Sequence, residues 1–376
     1  MFKKYCVIDR FPCAAYKADS ELIKCFLQRN GVIEAPLKSA DLILINTCAA
    51  LNNAEDASIS FIRSAKKNKK RTAKIVVMGC LPRANKNKLS NIFNGPFINA
   101  NNLKKIETFI ENPEIKLSDI KYTGYRGRKP VNKLDIYRLR IGWGCVNNCS
   151  YCVKKRIFGK SRSRNIPDIL EEFKSALRRG YKEFILTAND TGSYGLDINT
   201  NLAILIKRML AIRSKFDLRI GDFYPGMLKN MLPLLLPLFR SKKITQIHLA
   251  VQSGSDKILK LMHRNYGIAE YKYYINKLKD VNPGLKVQTD FIVGFPKETR
   301  EDFEKTIQLI DWLFQCENFA SNGWQVFPFS SRPNTVADRM DGHLKQREVD
   351  RRFKKAIETC EANRVINAYL AYPAAC

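Results

Sequence analysis

The sequence predicts an α/β protein built from two units, a parallel-sheet domain followed by a (β/α) barrel of the TIM type, partial or complete. Three observations predict it. Strand-like apolar runs alternate with helical stretches from the first residues, a Gly-, Pro- and charge-rich segment near 111–133 interrupts the alternation, and six further β/α units then follow. At 376 residues the chain exceeds the roughly 250–300 at which a single core stops growing, so more than one domain is expected.

In the first unit, Tyr5–Ile8, Asp41–Ile45 and Lys74–Met78 read as strands, with helices near Asp19–Arg29 and Ala54–Lys67. Ligands of such βαβαβ sheets sit beyond the carboxyl ends of the strands. Cys13 follows the first strand, Cys48 ends the run Leu42–Cys48, and Cys80 ends the run Ile75–Cys80. These cysteines lie more than thirty residues apart in sequence, yet this topology brings them to one sheet edge. The organisation expected is a domain over 1–120, a linker over 121–133, a second domain over 134–343, and a C-terminal helix and tail over 344–376. Strand candidates in the second domain are Leu134–Arg140, Glu183–Thr187, Leu218–Asp222, Thr245–Ala250, Val287–Val293 and Trp324–Phe327. Helices fall between them, such as Pro167–Arg179 with Pro near its start and Gly180 just past its end; a highly charged helix is expected from Leu344 to about Val365.

The formal charge, +29 from 65 basic and 36 acidic residues, favours a polyanion, and nucleic acid first. Phe61–Arg83 carries Arg63, Lys66, Lys67, Lys69, Lys70, Arg71, Lys74 and Arg83 with no acidic residue, and Lys154–Arg164 is also basic. Solvated helix faces, or a generally Lys-rich proteome, are the plainer readings of such runs. The N-terminus has no apolar core of a secretory signal, and the longest apolar stretch, Met231–Phe239, is far shorter than the roughly 20 residues of a membrane span. A cytoplasmic protein without a membrane segment is expected. Eleven cysteines, an odd number in a chain without a signal, favour metal ligation over disulfides.

Cys145, Cys149 and Cys152 form a CxxxCxxC loop at the end of the first strand of the second domain. Three thiolates on a four-iron cluster leave one iron open to an outside ligand, which is a catalytic feature. A zinc knuckle is the alternative, but structural zinc is usually closed by four ligands, and the histidines, His248, His263 and His343, are remote in sequence. Gly142, Gly144 and Tyr151 suit a tight loop around a bulky cofactor.

This loop resembles the signature of the radical S-adenosylmethionine (SAM) superfamily, and the chain resembles one branch of it, the methylthiotransferases. The segments that carry the likeness are Ala40–Cys48, Val77–Arg83, Cys145–Cys152, Asp190–Asp197, Val251–Asp256 and Thr289–Thr299. Thr187–Gly195 is most similar to the archaeal and eukaryotic subgroup that modifies threonylcarbamoyl-adenosine in tRNA. The resemblance implies a flavodoxin-like first domain, a radical SAM barrel, two [4Fe-4S] clusters and SAM as cofactors, and an electron donor such as a flavodoxin or ferredoxin. It also implies that the cluster on Cys145, Cys149 and Cys152 binds and cleaves SAM to a 5'-deoxyadenosyl radical. The cluster on Cys13, Cys48 and Cys80 then supplies methylated sulfur to the substrate radical. By the same likeness Asn189, Asp190, Thr191 and Gly192 meet the methionine end of SAM, and Gln252 and Ser253 the substrate side or ribose. Asp290 to Gly294 meet the ribose and adenine, and the backbone of Phe329 meets adenine. Capping of strand ends is the plainer role for Gln252 and Asp290, and Cys6, Cys25, Cys316, Cys360 and Cys376 are read as small buried thiols. Three departures stand out: Pro12 replaces the usual Gly, Phe158-Gly159 replaces Arg-Gly, and the chain ends where relatives continue into an RNA-binding TRAM domain.

Three functions follow. The first is methylthiolation of threonylcarbamoyl-adenosine next to the anticodon of tRNA. The second is sulfur insertion into a peptide or protein side chain. The third is a non-enzymatic iron-sulfur or RNA-binding module, which would not need the SAM-side segments.

Overall fold

The computed structural model describes residues 2–11, 14–49, 51–120, 136–316 and 324–362; Cys13, Cys376 and the expected linker, 121–133, lie outside them. The first domain runs β1 (Lys4–Ile8), α1 (Ala14–Arg29), β2 (Ile33–Glu34), β3 (Leu42–Thr47), α2 (Asn52–Asn68), β4 (Lys74–Gly79), the short helices α3 (Leu81–Ala84) and α4 (Lys86–Ser90), and β5 (Phe97–Asn99). All pairings are parallel in the order β2-β1-β3-β4-β5, the flavodoxin-like order. Every residue of β3 is buried because both faces are covered: Ile43 and Ile45 face α2, while Leu42 and Leu44 face α1. Ile115, Leu117 and Ile120 pack into the α1-side core, so the chain up to Ile120 is part of this domain's packing.

The second domain continues with β6 (Ile136–Arg140), β7 (Gly142–Trp143), α5 (Lys154–Phe158), β8 (Arg162–Ser163), α6 (Ile166–Arg178), β9 (Glu183–Thr187), α7 (Leu202–Leu210), β10 (Asp217–Phe223), α8 (Leu228–Phe239) and β11 (Ile244–Leu249). It closes with α9 (Asp256–Leu261), α10 (Ile268–Val281), β12 (Lys286–Gln288), β13 (Asp290–Val293), α11 (Arg300–Gln315), β14 (Gln325–Pro328) and α12 (Gln346–Ala362). The parallel sheet β6-β9-β10-β11-β12 continues into the parallel pair β13-β14, and a bridge between Gln252 and Phe291 stitches the two. Among the described residues β14 does not pair back to β6, so the barrel is partial. The expected single strand Val287–Val293 is broken at Thr289. Its hydroxyl donates to Leu249 O (2.9 Å) and accepts from Val251 N–H (3.1 Å), so the residue ties the sheet laterally instead of continuing one ladder. Among the described residues no helix is long and apolar enough to cross a membrane.

The seam between the domains is built by the segment after the cysteine loop. Val153, Ile157 and Phe158 bury into the same apolar cluster as Cys48 and Cys80, and Arg156 Nη2 donates to Ala84 O at 2.7 Å. On the far side Arg332 and Glu55, both almost fully buried, pair at 2.9 Å across the domains.

Candidate active site

Local rules explain the cysteine loop. Gly144 has φ +74°, and a Cβ there would lie 2.2 Å from Lys160 O, so only glycine can turn β7 into Cys145. The loop is pinned from outside: Gly144 N–H donates to Asn189 Oδ1 (2.9 Å), Ser150 Oγ to Leu261 O (2.8 Å), and Ala337 N–H to Ser150 O (2.9 Å). Cys145, Cys149 and Cys152 line one open cleft with Asn147, Tyr151, Lys154, Lys155, Asn189, Asp190, Asp222, Tyr224, Gln252, Arg264 and Asp290. Its empty space is about 750 Å³ with the open mouth included. Among the described residues no three His, Cys, Asp or Glu side chains close on a point that would hold a single metal ion. The three thiols border a cleft, and that donor set fits a sulfur-ligated cluster better than one tetrahedral zinc.

Cys145 and Cys152 are favoured as neutral thiols by their surroundings. Burial first, and the Asp190 carboxylate second, push Cys145 up to about 12, and burial likewise raises Cys152. A bound cation would invert that preference, because metal coordination deprotonates thiols. Besides Lys154 and Lys155, Arg264 is a cation already present in the lining. It stacks over Tyr224 (4.4 Å) and Tyr266 (5.2 Å), and its Nη1 approaches Cys149 Sγ at 3.5 Å and Tyr151 OH at 3.3 Å. Its place opposite the loop gives an anionic, thiolate-bound group a charge-assisted donor.

The other expected site residues divide into two groups. Asn189, Asp190, Gln252 and Asp290 line the cleft. Asp190 accepts from Gly192 N–H (2.9 Å), Tyr224 N–H (3.0 Å), Asn147 Nδ2 (2.7 Å) and Ser193 Oγ, so it acts by holding the cysteine loop to the next strand end. Gln252 has φ +76°; its N–H donates to Asp290 O and its carbonyl accepts from Ile292 N–H, both at 2.8 Å. Away from the cleft lining, Thr191 donates to Gly221 O (2.6 Å), Gly192 is buried beside Met227, and Ser253 is buried among Thr306 and Ser255. Gly294 has φ +77°, and its N–H donates to Glu298 Oε2 (2.7 Å). Phe329 packs 5.1 Å from Phe295, and its N–H donates to Val293 O (2.8 Å).

Sequence reasoning missed Arg264, Asp222, His248 and Asn147. Asn147 lies inside the cysteine loop and could have been singled out by position; the others carry no local pattern. His248 stands between Asp290 (3.0 Å) and Asp222 (3.4 Å). Burial opposes its charge, but Asp290 and Asp222 outweigh that and raise it to about 10. Asp222 is held at about 2 because Lys154, His248 and Arg140 overcome its desolvation.

At the second thiol site, Cys48 and Cys80 are buried directly after the neighbouring strands β3 and β4. Gly79 has φ +95°, and a Cβ there would lie 2.3 Å from Thr47 O and 2.5 Å from Asn46 Oδ1. Glycine therefore lets the two strand ends close. Cys80 N–H donates to Thr47 O (2.9 Å), Thr47 Oγ1 to Met78 O (2.6 Å), and Ser58 Oγ accepts from Cys48 N–H (3.0 Å).

Two family descriptions match the chain, "Radical SAM superfamily" over residues 139–310 and "Uncharacterized protein family UPF0004" over residues 5–97. A probable threonylcarbamoyladenosine tRNA methylthiotransferase of Pyrococcus horikoshii is 32% identical over 90% of this chain and 79% of its own length. A tRNA-2-methylthio-N(6)-dimethylallyladenosine synthase of Thermodesulfovibrio yellowstonii is 34% identical over 90% and 79%. The ribosomal protein uS12 methylthiotransferase RimO of Carboxydothermus hydrogenoformans is 31% identical over 94% and 82%. Among solved structures, the radical SAM methyltransferase TsrM of Kitasatospora setae, with cobalamin and a [4Fe-4S] cluster bound, superposes with a TM-score of 0.63 at 12% identity, covering 90% of this chain and 77% of that one.

Proposed function

From the premise that this chain belongs to the radical SAM methylthiotransferases, we propose that it methylthiolates threonylcarbamoyl-adenosine next to the anticodon of tRNA. The family's cofactors are two [4Fe-4S] clusters and SAM. In this reading Cys145, Cys149 and Cys152 hold the SAM-binding cluster, and Cys13, Cys48 and Cys80 the auxiliary one. Bound there, the groups supply reductive cleavage of SAM, abstraction of an unactivated hydrogen and a sulfur donor. The protein's own share is positional. Asp190 and Asn147 fix the loop, Arg264 places positive charge beside Cys149, and Gln252 and Asp290 present side chains where SAM would lie. Asn189 lines the cleft beside them, and Thr191, Gly192, Ser253, Gly294 and Phe329, outside the lining, support the same subsite in this reading.

The observation that carries the substrate is the likeness, over nine-tenths of this chain, to a relative named for threonylcarbamoyladenosine. The charge agrees with it: Lys154 and Lys155 line the cleft, and Arg63, Lys66, Lys67, Arg71 and Lys74 are exposed on the first domain, where a phosphate backbone would meet them. A flavodoxin or ferredoxin as electron donor and a cytoplasmic location belong to the same reading. The uS12 relative keeps a protein side chain as the second reading.

The test is anaerobic reconstitution followed by incubation with SAM, a reductant and bulk tRNA, with mass spectrometry of the digested nucleosides. A methylthio gain on threonylcarbamoyl-adenosine that vanishes in Cys149→Ala is expected. If 5'-deoxyadenosine forms while no nucleoside gains mass, the tRNA reading is wrong and ribosomal protein becomes the next substrate to assay.

A further inference from the structure

Arg140, the last residue of β6, is fully buried, yet none of its three guanidinium nitrogens has a hydrogen-bond partner. Strand alternation explains its direction: Tyr137 and Leu139 join the core around Phe173 of α6, so Arg138 and Arg140 face the inside of the barrel. The guanidinium carbon lies 5.3 Å from the ring centre of Trp143 and 6.0 Å from that of Phe158. Both rings pack with the cluster that contains Cys48 and Cys80, while Asp222, whose carboxylate feels the Arg140 charge, lines the cleft of the cysteine loop. The guanidinium therefore stands between the two thiol sites, covered by a two-residue strand and a five-residue helix at the domain seam.

A buried guanidinium without a hydrogen-bonded acceptor is costly, and it calls for an acceptor that a ligand, an ion or water brings. No carboxylate hydrogen-bonds the guanidinium: Glu172 pairs with Arg164 (2.7 Å), Asp190 accepts from Asn147 (2.7 Å), and Asp222, whose charge Arg140 helps to stabilise from a distance, pairs with His248 (3.4 Å). A guanidinium stacked on rings keeps its donors pointing edgewise in one plane, the geometry that matches a carboxylate bidentately. Threonylcarbamoyl-adenosine carries a carboxylate, and a dimethylallyl group carries none.

Resting on the tRNA reading above, we propose that Arg140 is the specificity-determining residue that receives the threonyl carboxylate of the modified adenosine between the two cluster sites. It sorts carboxylate-bearing nucleosides from apolar ones before sulfur is transferred.

The experiment uses the reconstituted full chain and synthetic anticodon stem-loops that carry threonylcarbamoyl-adenosine or its methyl ester. The wild type is expected to methylthiolate the acid about a hundredfold more efficiently than the ester, the ratio that two charge-assisted hydrogen bonds supply. Arg140→Met and Arg140→Lys are expected to lose that preference and treat the two alike, with iron content and cluster absorption at the wild-type level. A wild type that accepts acid and ester equally, or variants that keep the preference, would overturn the assignment while leaving the tRNA reading intact. Variants that lose iron would overturn it too, because the guanidinium would then serve a cluster. A wild type inert on both stem-loops would remove the tRNA reading and this assignment with it.

Discussion

The two thiol sites reach the same seam by opposite routes. On the side proposed to bind SAM, three cysteines within eight residues share one loop, and the fold has only to pin that loop from behind through Asn189, Asp190 and Leu261. On the other side Cys48 and Cys80 come from different strands, and their meeting depends on the register of β3 against β4, with Thr47 opposite Gly79. A loop site tolerates movement of the frame, whereas a strand-end site is only as sound as the sheet. The first failure expected in a destabilised variant is therefore loss of the auxiliary cluster, with the SAM cluster retained.

The largest effect breaks the comparison at its functional end. Cys149→Ala should bring SAM cleavage to background and iron from about eight to about four per chain, because a cluster lacking one of three protein ligands is not retained. Anaerobic 5'-deoxyadenosine assays and iron analysis check it. The next concerns the seam. Glu55→Gln leaves Arg332 charged with only the neutral acceptors of Asn52 and Ser330, in a site where both side chains are at most 3% exposed, so a loss of about 3 kcal/mol is expected, read from urea denaturation. Because Glu55 belongs to the helix after Cys48, this variant should shed auxiliary iron first.

How much was legible follows the same division. The spacing of Cys145, Cys149 and Cys152 is visible at once, because the ligands are local. Cys48 and Cys80 became legible only through strand ends, since Leu42–Thr47 and Lys74–Gly79 are continuous apolar runs whose termini can be read. The edge strands Ile33–Glu34 and Phe97–Asn99 were missed because runs of two or three residues are too short to show a period. Arg264 and Arg140 were missed for a different reason. Each owes its place to barrel closure, one across the cleft from the loop and the other facing inward between buried neighbours, and nothing beside them in sequence marks either as different from the other basic residues.

The glycines sharpen the comparison at smaller magnitude. Gly79→Ala meets Thr47 O at 2.3 Å with φ at +95°, so strain and displacement of β4 should cost roughly 1–3 kcal/mol and halve the iron while the SAM cluster remains. Gly159→Ala, just past the cysteine loop at φ +80° and ψ −155°, has nothing within 4 Å; the substitution carries the backbone strain of a region essentially confined to glycine, about 1–3 kcal/mol, but displaces no neighbour, so iron should be unchanged. Equal iron loss in the two variants would show that the sites fail together and that the sheet is not the weaker frame.

The smallest expected effect separates the sites by pH. Thr47, Ser58 and the backbone, which hydrogen-bond beside Cys48 and Cys80, do not titrate near neutrality, whereas the wall of the cysteine-loop cleft contains His248 between Asp290 and Asp222. His248 rises from 6.5 to about 10 on folding, because the two carboxylates outweigh its burial. A group raised in this way stabilises the fold fully below its unfolded value, and the contribution fades as pH climbs through the folded value. His248→Asn should therefore lower the melting temperature relative to wild type at pH 6, and the gap should narrow steadily toward pH 10. With Asp222 44% exposed and screened by solvent, the gap should correspond to no more than roughly 1 kcal/mol. Melting curves of both proteins across that range decide it. A gap that stays constant to pH 10 would mean that His248 contributes by packing alone and that charge does not organise the SAM-side wall.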